Sequence, residues 1–494
     1  MAIFNVVLAI YIAFSAASAI ANPERFEHSE TLAIEGTGEE TFYQIDHQLD
    51  CGGRASPTLP GLVGTVHLGG GKAIWFDLFQ GKSRTLVSLG RPRQATTLTV
   101  DIWNRRGQDC RVAQFTTQIV KVDVSQANLE QNIHATALLH SPYIVIRKDQ
   151  SMNRNTDVPL ELVYHVERDA AKKTITIRYT TFFSDENSKT AASDSEGQMS
   201  RYGRTSDIEW TYEVIFDQVS GKKLDARYQG GFTDKVRGWN PLNWQLSGDH
   251  SSHSFNGEYA DGTDHPVLYN IADNNVFSDR AGGESLTNAR VTYRLGLAEQ
   301  SNVPSPLARE RFQQSPAGQY MYLVCDKECE LENKAAGTAE DYLYIAVRGK
   351  LSPSGTLFNA RNGAFKIKTY LFDVWVNAQD DGVVHDRKFQ LDRTIESNRS
   401  CDRMGEDMHG QESTPAIRIG KADLDAVASG KKMIYLRFTD ARFAGTTEKF
   451  AVDELSVFRM VWNPEMGSYE KQPWKIAGGT LDGFRSGLVV SPAR

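Results

Sequence analysis

The sequence predicts a mainly β protein, built from several antiparallel, sandwich-like domains with few short helices. Three observations predict it. Short runs rich in β-branched and aromatic residues recur along the chain. Glycine and proline clusters such as Gly69-Gly70-Gly71 punctuate them. Helical periodicity is scarce: Lys421–Ser429 is the best helix candidate, and Gln126–Leu139 reads either as a short helix or as a loop over a sheet.

At 494 residues the chain is too long for one ordinary core, so two or three domains are expected. Residues 1–21 read as a signal peptide. Met1–Ala21 has no charged side chain, and the apolar run Ile3–Phe14 gives way to small residues that suit cleavage after Ala19 or Ala21. The expected location is therefore secreted or periplasmic. No later run is apolar and long enough to span a bilayer, so no transmembrane helix is expected after cleavage.

An N-terminal β domain is expected over 22–150. Its strand candidates are Thr41–Ile45, Leu62–Leu68, Ala73–Phe79, Arg84–Leu89, Thr97–Trp103, Gln114–Val124 and Tyr143–Arg147. A central β domain is expected over 151–300. It opens with Leu160–Glu167 and the turn Asp169–Lys173. A linker or covering loop over 301–337 follows, carrying Pro304, Pro306 and Pro316. A C-terminal β-sandwich domain fills 338–494, with Tyr342–Arg348, Phe365–Val376, Met433–Phe438 and Glu454–Trp462 as its strongest strands.

Within the central domain, the stretch Thr174–Phe216 organises its surroundings: two strong strands flank the polar loop Ser184–Arg204. From Ile208 the pattern alternates. Ile208, Trp210, Tyr212, Val214 and Phe216 form an expected buried face; Asp207, Glu209, Thr211, Glu213 and Asp217 form an expected wet one. The turn at Ser220-Gly221 reads as a hairpin tip.

Composition narrows the function. The formal charge is −7 and the pI near 5.9, which argues against nucleic acid as main partner and against simple adhesion to an anionic surface. Of five cysteines, Cys51 and Cys110 are expected to pair, closing a loop worth roughly 4 kcal/mol in the chain-entropy account. Cys325, Cys329 and Cys401 then leave one thiol over. No G-x-S-x-G, H-E-x-x-H, C-x-x-C or EF-hand motif occurs.

What remains is a constellation of acids. Glu186 leaves the first organising strand and Asp207 and Glu209 enter the second, so a pairing of the two strands brings these carboxylates to one end of the sheet. Three readings stand side by side. Glu186, Asp207 and Glu209 serve as a catalytic acid–base set. Asp207, Glu209, His265 and Asp273 hold a divalent cation. Or the acids form a structural cluster with Arg178, Arg201 and Arg204. Trp239, Trp244, Tyr259 and His265 are the ligand-binding candidates; the aromatic members offer a stacking platform of the kind that receives sugar rings, and the bland reading makes them core or loop anchors.

The runs YTTFFSDEN (Tyr179–Asn187), GRTSDIEW (Gly203–Trp210) and HPVLY (His265–Tyr269) resemble the Vps62-related family. In that family an aromatic-rich strand precedes a G-D-W-E-like strand start, and a P-V-V-Y-like strand follows. Here Asp207-Ile208-Glu209-Trp210 stands in place of adjacent Asp-Trp-Glu. The resemblance spans Ile175–Phe277 and implies a β-rich central domain, with no activity attached. The leading functional expectation is an exported binding or surface-associated protein with a glycan or cell-surface ligand. The alternatives are a secreted hydrolase or lyase acting on an extracellular polymer, and a structural envelope component.

Overall fold

A computed structural model describes residues 25–51, 60–69, 74–79, 81–104, 110–121, 129, 132–147, 159–183, 203, 207–230, 251–270, 275–280, 290–293, 339–352, 372–378, 387–390, 412–413, 416–438, 449–463, 468–477 and 487–492. The protein is mainly β, with several antiparallel sheets. The first strands are β1 (Arg25–Ile34), β2 (Thr41–Cys51), β3 (Pro60–Leu68), β4 (Ile74–Phe79), β5 (Gly81–Ser88), β6 (Thr96–Asn104) and β7 (Cys110–Lys121). Helix α1 (Ile133–Leu139) and β8 (Tyr143–Arg147) follow. Then come β9 (Pro159–Asp169), β10 (Thr174–Phe183), β11 (Asp207–Asp217), β12 (Lys223–Gly230), β13 (Ser251–Ser254), β14 (Val267–Asn270), β15 (Phe277–Ser278) and β16 (Arg290–Tyr293). The C-terminal part supplies β17 (Tyr342–Ser352), β18 (Phe372–Ala378), β19 (Arg387–Gln390), β20 (Glu412–Ser413), β21 (Ala416–Arg418), helix α2 (Lys421–Ala428), β22 (Lys432–Phe438), β23 (Lys449–Asn463), β24 (Ser468–Ala477) and β25 (Gly487–Pro492).

One long sheet of 13 strands runs β1-β6-β3-β4-β16-β8-β14-β15-β12-β11-β10-β9, with β13 attached to β12. It crosses the boundary expected near residue 150. Strand β8 lies between β16 and β14, and β16 meets β4 through the single pair Thr292↔Ile74. A three-stranded sheet, β5-β2-β7, packs against the early strands. Tyr43, Ile45 and Leu49 of β2 share a core with Val66, Leu98, Val100 and Ile102 of the long sheet, two layers face to face. Residues of the C-terminal part form a separate nine-stranded sheet, β19-β18-β22-β25-β24-β23-β17-β20, with β21 on β17.

The central core gathers Ile177, Tyr179, Phe183, Tyr212, Val214 and Phe216 under helix α1. That helix forms because Ile133, Ala137 and Leu138 present one buried face, four and five residues apart. Its carbonyl at Ala137 accepts the Tyr179 hydroxyl at 2.7 Å, which pins the helix to β10. The helix ends at His140 and delivers Ser141 and Tyr143 into the interior, where they meet the site described below.

Strand β1 lies in a stretch whose sequence reads as polar. RFEHSETLAI takes its strand character from β6: Ser29 bonds Asp101 at 2.8 Å, and Thr31 sits opposite Thr99. An edge strand held by cross-strand pairs needs no hydrophobic period of its own.

Candidate functional site

Strands β10 and β11 pair antiparallel, from Thr174↔Asp217 to Phe183↔Asp207, across the loop that the sequence placed between them. The register slips once. Tyr179 faces Tyr212, but the next pair is Thr180↔Trp210, so Thr211 is an extra residue, a β-bulge in β11. A slip of one residue exchanges the two faces of a strand. Beyond the bulge Glu209 lies opposite Thr181 and Asp207 opposite Phe183, on the side of β10 that also carries Tyr179. Trp210 and Ile208 pair instead with Thr180 and Phe182.

This overturns the expectation of one wet face. Asp207 is 6 % exposed, Glu209 2 %, Thr211 0 % and Glu213 6 %. Each carries partners, because a buried charge without them is strongly disfavoured. Asp207 accepts from the Ile208 N–H at 2.9 Å and from the Asn275 carboxamide at 2.9 Å. Asn275 in turn accepts from Asn270 at 2.8 Å. The carboxamide of Gln229 donates to Glu209. The hydroxyls of Thr181 and Thr211 meet at 2.6 Å across the bulge. Further along, Arg178 bridges Glu213 and Glu167, both at 2.8 Å. Of the arginines in the structural reading, Arg178 thus pairs with Glu213 and Glu167, while Asp207 and Glu209 accept from carboxamides. Asn275 sits at φ +58°, a left-handed conformation that asparagine tolerates better than most side chains.

His265 is not part of this group. It is fully buried, and its ring stacks on Tyr143 at 4.7 Å. Its Nδ1 lies 2.7 Å from the Ser141 carbonyl and its Nε2 3.1 Å from the Glu40 carboxylate. Both of those groups accept, so a proton on either ring nitrogen has an acceptor within reach; the Ser141 hydroxyl also lies 3.3 Å from Nδ1. Ser88 donates to the same Glu40 oxygen at 2.6 Å, and Tyr143 donates to Ser88 at 3.0 Å. Arg91 reaches the other Glu40 oxygen at 3.4 Å and Asp264 at 3.3 Å. Burial pushes the Glu40 carboxyl up, but His265, Ser88 and Arg91 outweigh it and hold it below its ordinary range. Nearby, burial pushes His140 down to about 4, against the opposing charge of Asp264.

Among the described residues no group of three or more His, Cys, Asp and Glu is placed to hold a metal ion. The expected set of Asp207, Glu209 and His265 is thus not assembled: the two acids face carboxamides, and the histidine faces Glu40. Of the ligand-binding candidates, Tyr259 is half-buried, and its ring lies under the Lys223 ammonium at 4.5 Å. His265 faces inward. Glu186, Asp273, Trp239, Trp244, Arg201 and Arg204 lie outside the described residues, as do the expected signal peptide, the expected linker with Pro304, Pro306 and Pro316, and Cys325, Cys329 and Cys401. Cys51 and Cys110 are opposite one another in the β2–β7 register. Antiparallel partners stand about 4.5–5.5 Å apart at Cα, within the span of a disulfide.

Glu40, Ser88, Ser141, Asn270, Asn275 and Gln229 were not singled out by sequence. Only Asn275 carried a signal, in the Asn274-Asn275 pair after a strand, where asparagine suits a left-handed turn. The others are joined across as many as 225 positions of chain, and no local pattern announces such a pairing. Comparison of the chain with protein-family models, with curated proteins and with solved structures finds no match. The resemblance to the Vps62-related family rests on the three runs quoted above. Among the described residues no helix is long and apolar enough to cross a membrane.

Proposed function

We propose that this is an exported binding or surface-associated protein of the periplasm or extracellular space, with a glycan as its ligand. One observation carries binding over polymer cleavage. Asp207 and Glu209, the acids best placed in sequence for catalysis, are almost wholly buried, and each is engaged by a neutral carboxamide. A general acid or base has to reach the proton it moves, directly or through one water. Carboxylates locked in this way hold a strand end in place. The uncharged N-terminal segment Met1–Ala21 supports export. The Cys51↔Cys110 register supports it too, since a disulfide there persists in an oxidising compartment.

The test is a thermal-shift and turnover panel on the mature protein with neutral and charged polysaccharides. A bound glycan raises the apparent stability by about 2.7 kcal/mol at a hundredfold excess over Kd. Glu209→Gln is expected to retain that shift, and no polymer is expected to shorten. Polymer cleavage that disappears in Glu209→Gln reverses the choice in favour of a hydrolase or lyase. No shift with any glycan favours a structural envelope component. Peptide mapping of the exported protein under non-reducing conditions is expected to recover Cys51 and Cys110 as one linked pair; two free thiols there contradict export to an oxidising compartment.

A further inference from the structure

Two neighbouring turns at one end of the long sheet finish in the same way. The turn after β9 closes on Lys172-Lys173, and the turn after β11 closes on Lys222-Lys223. A hydrogen bond joins them: the Gln218 N–H donates to the Lys173 carbonyl at 2.9 Å. Strands β10 and β11 are adjacent, so the two lysine pairs lie within about 10 Å, two strand spacings. Lys172, Lys173 and Lys222 are exposed, and so is Arg168 just before the first turn. Lys223 is held over the Tyr259 ring and bonded to its hydroxyl.

The acids in these turns are already engaged. Asp169 pairs with Lys172 at 2.9 Å. Asp217 closes its own turn, accepting from the Ser220 N–H at 2.7 Å, the Ser220 hydroxyl at 2.8 Å and the Val219 N–H at 3.1 Å. On the adjoining strand Asp225 is taken by Arg227 at 2.9 Å. Four lysines therefore stand with two carboxylates, Asp169 and Asp217, at the paired turns, in a chain whose formal charge is −7. The charge balance of the paired turns is thus opposite in sign to that of the whole chain.

Backbone conformation adds a second observation. Lys173 sits at φ +52°, where glycine is the ordinary occupant. The partner turn does place a glycine in that region, Gly221 at φ +67°. A lysine thus occupies a position that the backbone would give to glycine, next to three other lysines. Left-handed non-glycine positions cost backbone free energy and cluster where a side chain has a role beyond folding.

We propose that this end of the sheet binds an anionic polysaccharide, a polymer bearing carboxylate or sulfate groups along its length. The proposal rests on the glycan reading above and names its charge class. The lysine ammoniums meet the anionic groups, and Tyr259 positions one of them. The exposed apolar side chains here are Val219 at the tip and Leu224 beside it. Two aliphatic side chains among polar neighbours are a small apolar area for seating on a bilayer, whereas the charge suits a soluble polyanion.

The experiment titrates the mature full-length protein with polygalacturonate, dextran sulfate, uncharged dextran, and vesicles of phosphatidylcholine with phosphatidylglycerol. It compares wild type with a Lys173→Gly/Lys222→Gln double variant. The polyanions are expected to bind, more weakly as salt is raised. The double variant is expected to bind about tenfold more weakly, within the range for two exposed ion pairs. Its thermal midpoint is expected not to fall, because Lys173→Gly relieves a strained backbone. Binding of dextran alone overturns the charge class and leaves the glycan reading standing. Binding of the anionic vesicles alone overturns the polymer in favour of a lipid surface. Silence with every polysaccharide overturns the proposal together with the reading beneath it. Undiminished polyanion binding by the double variant overturns the assignment to these turns.

Discussion

The long sheet buries two polar groups that are built in opposite ways. Around β11, Asp207 and Glu209 accept from the carboxamides of Asn275 and Gln229, which are neutral dipoles. Around β14, Glu40 is met by His265, Ser88 and Arg91, so its partners include a guanidinium and an imidazole as well as a hydroxyl. The first group is local to the strands of the central region. The second joins residues from the early part of the chain, Glu40, Ser88 and Arg91, to Ser141, Asp264 and His265. A charged knot between distant segments makes their association sensitive to the loss of any one partner, since the remaining charge stays buried. A carboxamide partner leaves a smaller debt when it is lost.

That contrast orders the predictions. The largest effect is expected from Glu40→Ala or His265→Ala, each costing about 3–5 kcal/mol by leaving its partner uncompensated. Urea denaturation measures it; a loss below about 1 kcal/mol, the size of an exposed pair, contradicts a buried ion pair. Acid comes next. His140 titrates near 4 in the folded protein and near 6.5 when unfolded, so the unfolded chain binds the proton first as pH falls from 6.5 to 4. Stability is therefore lost across that window, on the order of 3 kcal/mol. Glu40 acts in the same direction: its carboxyl is held low when folded, and its contribution disappears as pH falls through the folded value. Thermal midpoints at pH 7, 5.5 and 4 follow the loss, and His140→Gln is expected to flatten its upper part.

Smaller effects test the neutral group. Glu209→Gln sets two carboxamides face to face and is expected to cost about 1–3 kcal/mol, less than either change at the charged knot. An equal or larger loss erases the distinction between the two groups. The smallest effect has the opposite sign. Lys173→Gly alone is expected to stabilise by about 1 kcal/mol, since it removes a side chain from a left-handed position. A destabilising Lys173→Gly shows that the side chain holds its turn together.

Much of the architecture was legible. Tyr143–Arg147 is a strand with the bounds that its β-branched run predicts, and Thr97–Trp103 lies within β6. Lys421–Ser429 is helical to Ala428, and the last seven residues of Gln126–Leu139 form helix α1, Ile133–Leu139. Strand β12 was hidden, because KLDARYQG is polar and its opening residues read as the arm of a turn. Its burial comes from neighbours on both sides, β11 and β13, which no local window contains. For the site, alternation identified the buried face, Ile208, Trp210, Tyr212, Val214 and Phe216, and failed on the other face, where Asp207, Glu209, Thr211 and Glu213 are buried as well.

The sequence by itself determined that the chain is mainly β, where its strongest strands lie, and that β10 and β11 carry acids toward a common end. Those properties follow from side-chain type and a period of two, both local to a strand. Tertiary structure alone decided which face the acids take and what meets them. A bulge belongs to a pair of strands rather than to either one, so the extra residue at Thr211 is invisible until Tyr179 and Thr180 are set against β11. It also decided that His265 answers to Glu40, far away in sequence, and that two lysine pairs forty-nine or more residues apart share one sheet end. Hydrogen bonds and charges act through space, and only the folded sheets bring those partners within reach.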